Sequence, residues 1–410
     1  MKRRVFPFFL VLFLACTCQA QPGFVMKPGL RQVDIPFEYS NNFIIITLLF
    51  NDAVPLKFIF DTGAEHTILS KREVSDALKI RYDKEFKITG SDLTTELIAY
   101  LVRQVKFEVP GRIIASKIDI LVLQEDYFRF EEYAGVNVHG ILAANVFDKY
   151  IIKINYKKRI LTLYERNNFK VNDAEFKPFD LELLRNKIYL NTQVSVLRDS
   201  ITPVKLLVDT GAGLPLLLFT NTNPLLQPPV KSIPSNIGMG MGGYLQGFTG
   251  RVFKLDLGDL SLNNVVSFFQ TIDTSAENLA QINHRNGLIG NSILSRYQVI
   301  IDYIGSKMWL KPNKNYQSEF VYDRSGISLI ASGLTLNVFT IQNVLPNSPA
   351  WNVDIRRGDE ILKVGYTPAQ LLTLDEILKV FQKKPGKSIK IVVLRDGKRL
   401  KKTIVLKDLL

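Results

Sequence analysis

Cysteine is almost missing from this sequence: of 410 residues two are cysteines, Cys16 and Cys18, and both fall within the first twenty. A chain cleaved after Ala20 and starting at Gln21 then holds no thiol, which excludes a disulfide framework and a cysteine zinc site. Histidine is nearly as scarce. His66, His139 and His284 are far apart and form no pair at ligand spacing, so no metal centre is expected and the three are placed on loops or the surface. Ser292, in Gly290-Asn291-Ser292, lacks the strand-to-helix setting of a serine nucleophile. No apolar run reaches the roughly 20 residues needed to cross a bilayer as a helix. The longest at the start, residues 5–15, follows Lys2, Arg3 and Arg4 and reads as a secretory signal, residues 1–20.

Acidic residues are also in deficit, 39 against 52 basic ones, giving a formal charge of +13. Many lysines crowd the end of the chain, at Lys379, Lys383, Lys384, Lys387, Lys390, Lys398, Lys401 and Lys402. No aromatics are interleaved with them as base-stacking requires, so a solvated face is expected and nucleic acid is not a partner. Acidic peptides or anionic surfaces remain attractive to such a surface. With 46% hydrophobic and 22% charged residues the composition is that of a globular protein, and the length suggests two to four domains. Export to the periplasm or the medium follows from the signal, with no integral span after its removal. Leu14-Ala15-Cys16 also fits a loose lipobox with Phe13 at its aliphatic position, leaving lipid anchoring through Cys16 open. Residues 21–33 read either as a short pro-segment or as the lead-in to the first strand.

What the sequence does contain is a long internal repeat. Lys57-Phe58-Ile59-Phe60-Asp61-Thr62-Gly63-Ala64 matches Lys205-Leu206-Leu207-Val208-Asp209-Thr210-Gly211-Ala212, and both continue into apolar pairs, Ile68-Leu69 and Leu216-Leu217. Ile88-Thr89-Gly90 answers to Ile237-Gly238, and Lys106-Phe107-Glu108-Val109 to Lys254-Leu255-Asp256-Leu257, at equal distances from the two aspartates. Gly140-Ile141-Leu142-Ala143 and Gly287-Leu288-Ile289-Gly290 follow, then Ile154-Asn155-Tyr156 and Ile301-Asp302-Tyr303. So many landmarks in one register make a duplicated unit. The segments are short, β-branched or aromatic and separated by Gly, Asn and Asp, as antiparallel strands are; residues 43–50, 153–164 and 299–310 are examples. Helical periodicity is confined to residues 71–78 and 291–296.

A strand ending in Asp-Thr-Gly, followed about 80 residues later by an apolar-apolar-Gly element, resembles the pepsin and retropepsin superfamily of aspartic peptidases. The likeness spans residues 32–314. It implies a mainly β, bilobal pepsin-like acid protease fold made of two retropepsin-like lobes, residues 21–171 and 172–314, within one monomeric chain. Asp61 and Asp209 are then the catalytic pair. Two carboxylates about 3 Å apart cannot both ionise, so they hold one proton and serve as acid and base toward water and a peptide bond, with no cofactor. Gly63 and Gly211 would let backbone amides approach the carboxylates, and Thr62 and Thr210, by the family pattern, would tie the two loops together. Gly140-Ile141-Leu142 and Gly287-Leu288-Ile289 would support the loops from behind. Ala143 stands where the family has glycine, which is tolerated at negative φ, and Pro215 stands where a polar residue is usual. Residues 87–100 and the run Gly238-Met239-Gly240-Met241-Gly242-Gly243-Tyr244 fit flap hairpins; between Tyr100 and Tyr244 as the substrate-facing tyrosine the sequence does not choose.

Beyond Pro312 the polar residues 313–318 mark a boundary. Residues 319–410 resemble a PDZ domain, a partly open β barrel with helices, through Val338-Phe339-Thr340-Ile341, Pro346-Asn347-Ser348-Pro349-Ala350 and Ile355-Arg356-Arg357-Gly358-Asp359-Glu360-Ile361-Leu362. A helix over 373–382 and strands over 388–395 and 401–406 complete that order. The resemblance implies a groove for a peptide whose terminal carboxylate sits on the loop Gly326-Ile327-Ser328-Leu329. Two functions follow: an exported aspartic endopeptidase whose PDZ domain recruits substrates or regulates cleavage, or a non-catalytic exported protein that binds peptides in the cleft and groove.

Overall fold

The computed structural model describes residues 23–90, 95–240, 243–272, 275, 279–280, 282 and 284–410. The expected signal segment with Cys16 and Cys18, residues 91–94 of the first expected flap, and Met241 and Gly242 of the second lie outside the described residues. No helix among the described residues is long and apolar enough to cross a membrane.

The chain folds mainly into β-strands because its apolar residues alternate. In Gln32–Ser40, Val33, Ile35 and Phe37 point inward while Gln32, Asp34, Pro36 and Glu38 are exposed, the period-2 pattern of a half-buried strand. The lead-in before it is structural: Val25–Met26 pairs with Ile113–Ile114, and Phe24 is fully buried.

Each copy of the repeat builds the same unit. In the first, Gln32–Ser40, Phe43–Phe50 and Val54–Asp61 form an antiparallel meander, and Gly140–Ala143 runs parallel to Val54–Asp61, placing Ala143 beside Asp61. In the second, Glu182–Leu184, Lys187–Ser195 and Ile201–Asp209 repeat the meander and Gly287–Gly290 lies parallel with Gly290 beside Asp209. The sequence matches Ile68-Leu69 with Leu216-Leu217, but the ladders differ by one residue. Ile68 pairs with Ile141, whereas Leu217 pairs with the equivalent Leu288. The second Asp-Thr-Gly loop is therefore one residue longer. Its extra length brings the Leu214 and Ala212 carbonyls to 2.2 and 2.7 Å from where a Cβ on Gly290 would stand, so glycine is required there. Ala143, at φ −63°, faces no such crowding.

Two stretches read as single strands are hairpins. Residues 153–164 divide into Tyr150–Asn155 and Ile160–Glu165, and residues 299–310 into Tyr297–Asp302 and Lys307–Pro312. Asn155 and Asp302 make the turns, accepting hydrogen bonds from the Lys158 amide (3.0 Å) and the Gly305 amide (2.8 Å). These hairpins join the lobes. Tyr150–Asn155 pairs antiparallel with Tyr297–Asp302, and Lys153 lies opposite Ile300, its own counterpart in the repeat, so the pseudo-twofold axis passes between them. Arg166 adds an ion pair to Asp302 across the same seam.

The C-terminal sheet runs Ile327–Ser332, Val338–Val344, Glu360–Val364, Ser388–Arg395, Lys398–Val405, with its own core. Its helix Leu374–Phe381 starts in a capping box between Thr373 and Glu376. Arg296 pins the preceding linker, its guanidinium 3.5 Å from the Phe320 ring centre and bonded to the Tyr316 and Ser318 carbonyls. The first lobe also touches this domain. The helix Phe130–Ala134 packs against Ile327–Ser332, the Gln342 side-chain amide donates to the Tyr133 hydroxyl at 2.8 Å, and a Cβ on Gly135 would lie 2.9 Å from Leu374.

The repeat also shows where symmetry fails. The Tyr156 hydroxyl donates to Asn291 Oδ1 at 2.7 Å, and Asn291 Nδ2 in turn donates to the Thr210 carbonyl. The equivalent Tyr303 hydroxyl is buried and has no hydrogen-bond partner among the described residues, because Ala144 stands in the other copy where Asn291 stands in this one. Tyr156→Phe, which strands a buried amide, should cost about 1–3 kcal/mol in chemical denaturation, whereas Tyr303→Phe should be neutral or stabilising. Equal losses in both variants would show that this hydrogen bond is not what distinguishes them.

Candidate active site

Asp61 and Asp209 end equivalent strands on opposite lobes, and the fold brings their loops face to face. The proximity is visible in the glycines. A Cβ on Gly63 would sit 2.8 Å from the Asp209 carboxyl carbon, and one on Gly211 would sit 2.3 Å from that of Asp61. Each glycine thus covers the aspartate of the other lobe, and no larger residue fits. Asp61 Oδ1 accepts from the Gly63 amide (2.6 Å) and the Ala64 amide (3.1 Å); Asp209 Oδ1 accepts from the Gly211 amide (2.8 Å).

The threonines form a reciprocal cross-link. The Thr62 hydroxyl donates to the Val208 carbonyl (2.6 Å) and accepts from the Thr210 amide (3.0 Å). The Thr210 hydroxyl donates to the Phe60 carbonyl (2.9 Å) and accepts from the Thr62 amide (3.0 Å). Both threonines are fully buried. Each lobe also extends a hairpin tip to the other lobe's loop. Asn42 Nδ2 donates to the Gly213 carbonyl at 2.9 Å, and Lys187 Nζ stands 3.7 Å from Glu65, the residue equivalent to Gly213.

Burial pushes the Asp61 carboxyl well above the usual carboxylate range, and the adjacent Asp209 charge adds to the effect. Burial raises Asp209 too, but the Arg285 guanidinium, a hydrogen bond from Asp61, the Gly211 amide and Lys187 oppose it. Both carboxyls are thus held toward their protonated forms, and the cations near Asp209 favour its ionised form, which biases the pair's proton toward Asp61.

Sequence reasoning missed four residues of this neighbourhood: Asn42, Lys187, Arg285 and Asn291. Comparing the copies position by position exposes two of them, since Lys187 and Arg285 replace Phe43 and Val138. Of the histidines, His66 and His284 are exposed, and half-buried His139 has a backbone role, its Nδ1 accepting from the Lys57 amide at 3.2 Å as Asn286 does from Lys205.

The flap-like hairpins are present as Lys84–Thr89 with Glu96–Val109 and Ile233–Gly240 with Gly243–Asp256. Tyr100 stacks 5.1 Å from Tyr82 and under Arg72, on the strand face opposite the buried Ala99. In the C-terminal domain, Gly326, Ile327 and Leu329 are buried and Ser328 half-buried. The loop's amides are already engaged: Gly326 N–H donates to Asp323 (2.5 Å) and Ile327 N–H to the Ser325 hydroxyl (3.1 Å). A ligand carboxylate at this loop would displace Asp323, whose own carboxyl burial pushes up to about 6.

Comparison with known proteins agrees with this architecture. Residues 46–146 match the aspartyl protease family model, and residues 318–406 match that of the PDZ domain, so the chain carries both domains. No curated protein sequence matches it. Among solved structures, conglutin gamma, a basic 7S globulin from lupine seeds, is similar at 10% identity with a TM-score of 0.43, covering 70% of this chain and 96% of its own. The basic 7S globulin from soybean gives 8% identity and a TM-score of 0.42, with coverage of 69% and 95%. The photosystem II D1 C-terminal processing protease aligns over 21% of this chain and 23% of its own, at 18% identity and a TM-score of 0.20.

Because Asp61 keeps its proton above the unfolded value, the folded chain binds more protons than the unfolded chain once the pH exceeds about 4, and stability falls as pH rises through that window. Asp61→Asn should remove the penalty. Denaturant titrations at about pH 4 and about pH 7 should show the variant gaining on the wild type only at the higher pH; an unchanged difference would place the proton elsewhere.

Proposed function

We propose that the protein is an exported aspartic endopeptidase that hydrolyses peptide bonds with water activated between Asp61 and Asp209. The observation that carries this reading is the opposition of buried Asp61 and half-buried Asp209 across the pseudo-twofold, with the threonine cross-link fixing their separation. Asp209, charged, takes a proton from the water as its oxygen adds to the peptide carbonyl carbon, and neutral Asp61 donates one to the carbonyl oxygen, giving a gem-diol. Asp209 then protonates the leaving nitrogen as the C–N bond breaks, and Asp61 recovers its proton from a gem-diol hydroxyl, which restores the starting state. One chain supplies both halves, so a monomer suffices. Asp61→Asn and Asp209→Asn should each lower cleavage of a mixed peptide library by about 10³-fold or more between about pH 3 and about pH 8. A product spectrum that survives either substitution excludes the dyad, and peptide binding with no product from the wild type at any pH would favour a binding protein.

In the same reading the PDZ domain recruits protein substrates or adjusts cleavage, supported by its contact with the protease lobe at residues 130–135. Ile330, half-buried on the edge strand Ile327–Ser332, offers a test. Ile330→Glu should slow cleavage of a long unfolded protein and leave a short peptide with the same scissile bond unaffected; equal effects on both, or none, would remove recruitment.

A further inference from the structure

The two lobes should line the cleft alike, because the same strands face it, yet they differ sharply in charge. Continuing the ladder in which Tyr189 pairs with Leu207 places Lys187 opposite Asp209. The equivalent register, in which Ile45 pairs with Ile59, places Phe43 opposite Asp61. Phe43 packs edge-on against Phe130, 6.0 Å away, within an apolar cluster that includes Ile45, Ile59 and Val138. In the second lobe the matching cluster of Tyr189, Leu207, Phe219 and Leu288 is interrupted by two cations, Lys187 and Arg285.

The Arg285 guanidinium lies 5.7 Å from the Phe219 ring centre. Its Nε is buried and has no hydrogen-bond partner among the described residues. Among the described residues neither Arg285 nor Lys187 is spent on a tight ion pair: Lys187 reaches Glu65 only at 3.7 Å, with a fifth of its side chain exposed, and Arg285 has no carboxylate within salt-bridge distance. Desolvating two cations side by side is unfavourable unless an anion joins them. Asp209 provides part of that compensation, since Arg285 is the foremost positive influence on its carboxyl. A planar guanidinium with a free edge suits a second carboxylate.

We infer that Arg285, assisted by Lys187, forms a specificity site on the second lobe that takes a substrate carboxylate next to the scissile bond, while the first lobe's equivalent site around Phe43 and Val138 takes an apolar side chain. This deepens the peptidase reading and rests on it. The carboxylate belongs either to an Asp or Glu side chain or to the C-terminus of the peptide, and the guanidinium recognises both in the same way.

The test uses the full chain and quenched peptides with one apolar core, carrying Glu or Gln at the positions flanking the scissile bond, with both ends blocked. A third series carries Gln and a free C-terminal carboxylate near the bond. A carboxylate site predicts kcat/KM at least about tenfold higher for Glu than for Gln, or for the free than for the blocked C-terminus, whichever source applies. Arg285→Met should bring that ratio close to one, and Arg285→Lys should retain part of it. If Arg285→Met does not fold, as thermal unfolding would reveal, Lys187→Met carries the same comparison with a smaller change. A wild-type ratio near one in every series overturns the inference and leaves the peptidase intact. So does an Arg285→Met variant whose pH profile moves equally for Glu and Gln peptides at an unchanged ratio, because the arginine then only tunes Asp209. Should the wild type cleave no peptide, the peptidase reading fails separately. Fluorescence anisotropy with the same labelled peptides then decides: tighter binding of the carboxylate peptide, lost in Arg285→Met, supports the site, and equal binding overturns it.

Discussion

Four hydrogen bonds between Thr62, Thr210, Phe60 and Val208 hold the active-site region together, and most of the surrounding architecture serves to keep them aligned. They are buried, so losing one would leave a donor or acceptor with no water to replace its partner. This makes the cross-link unforgiving of lobe displacement. Seen from this constraint, the seam between the lobes is a frame: Lys153 faces Ile300 at the pseudo-twofold, Arg166 reaches Asp302, and Tyr156 reaches Asn291, whose amide returns to the Thr210 carbonyl. The path from the joining hairpin to the second Asp-Thr-Gly loop is thus two hydrogen bonds long.

Most of this frame was legible because duplication writes each structural requirement twice. The Asp-Thr-Gly loops, the supporting Gly140 and Gly287 segments and the terminal Ile-Asn-Tyr and Ile-Asp-Tyr landmarks all recur, and at the two supporting glycines the antiparallel neighbour strand admits nothing bulkier. A Cβ on Gly140 or Gly287 would stand 2.0 or 1.9 Å from the Ile68 or Leu217 carbonyl oxygen. The helix Leu374–Phe381 was legible for a local reason, its capping box being contained within four residues. The hairpins at 153–164 and 299–310 were misread as strands because their apolar residues continue on either side of turns made by a single Asn or Asp side chain. The one-residue difference between the Asp-Thr-Gly loops was hidden for another reason: Leu216, Leu217 and Leu218 are chemically interchangeable, so only the ladder with Leu288 fixes the register.

The PDZ domain is tied to the protease at both ends of its contact. Arg251 of the second lobe donates to the Phe320 carbonyl at 3.0 Å, and Arg296 holds the linker through its carbonyls. On the other side the first lobe's residues 130–135 meet the edge strand and the first turn of Leu374–Phe381. That same lobe segment is gripped from beneath by Asn41, whose side-chain amide donates to the Tyr133 carbonyl (3.0 Å) and the Ala134 carbonyl (3.1 Å), while the adjacent Asn42 reaches Gly213 in the second catalytic loop. A continuous set of contacts therefore connects the PDZ surface to the Asp61 and Asp209 loops.

The departures from internal symmetry carry as much chemistry as the symmetry itself. Two identical carboxyls related by a perfect twofold would share their proton evenly, and neither would be committed to acid or base. Here Lys187 and Arg285 stand on the second lobe, where the first has Phe43 and Val138, and their charge favours the ionised form of Asp209. Asp61, more deeply buried and with no cation of its own lobe in an equivalent position, is held more strongly toward its protonated form. Cations that bias the dyad in this way must lie within reach of the scissile bond, and so within reach of the substrate residues on that side. A single asymmetric placement of charge thereby links the division of labour between the aspartates to the kind of side chain the second lobe accepts.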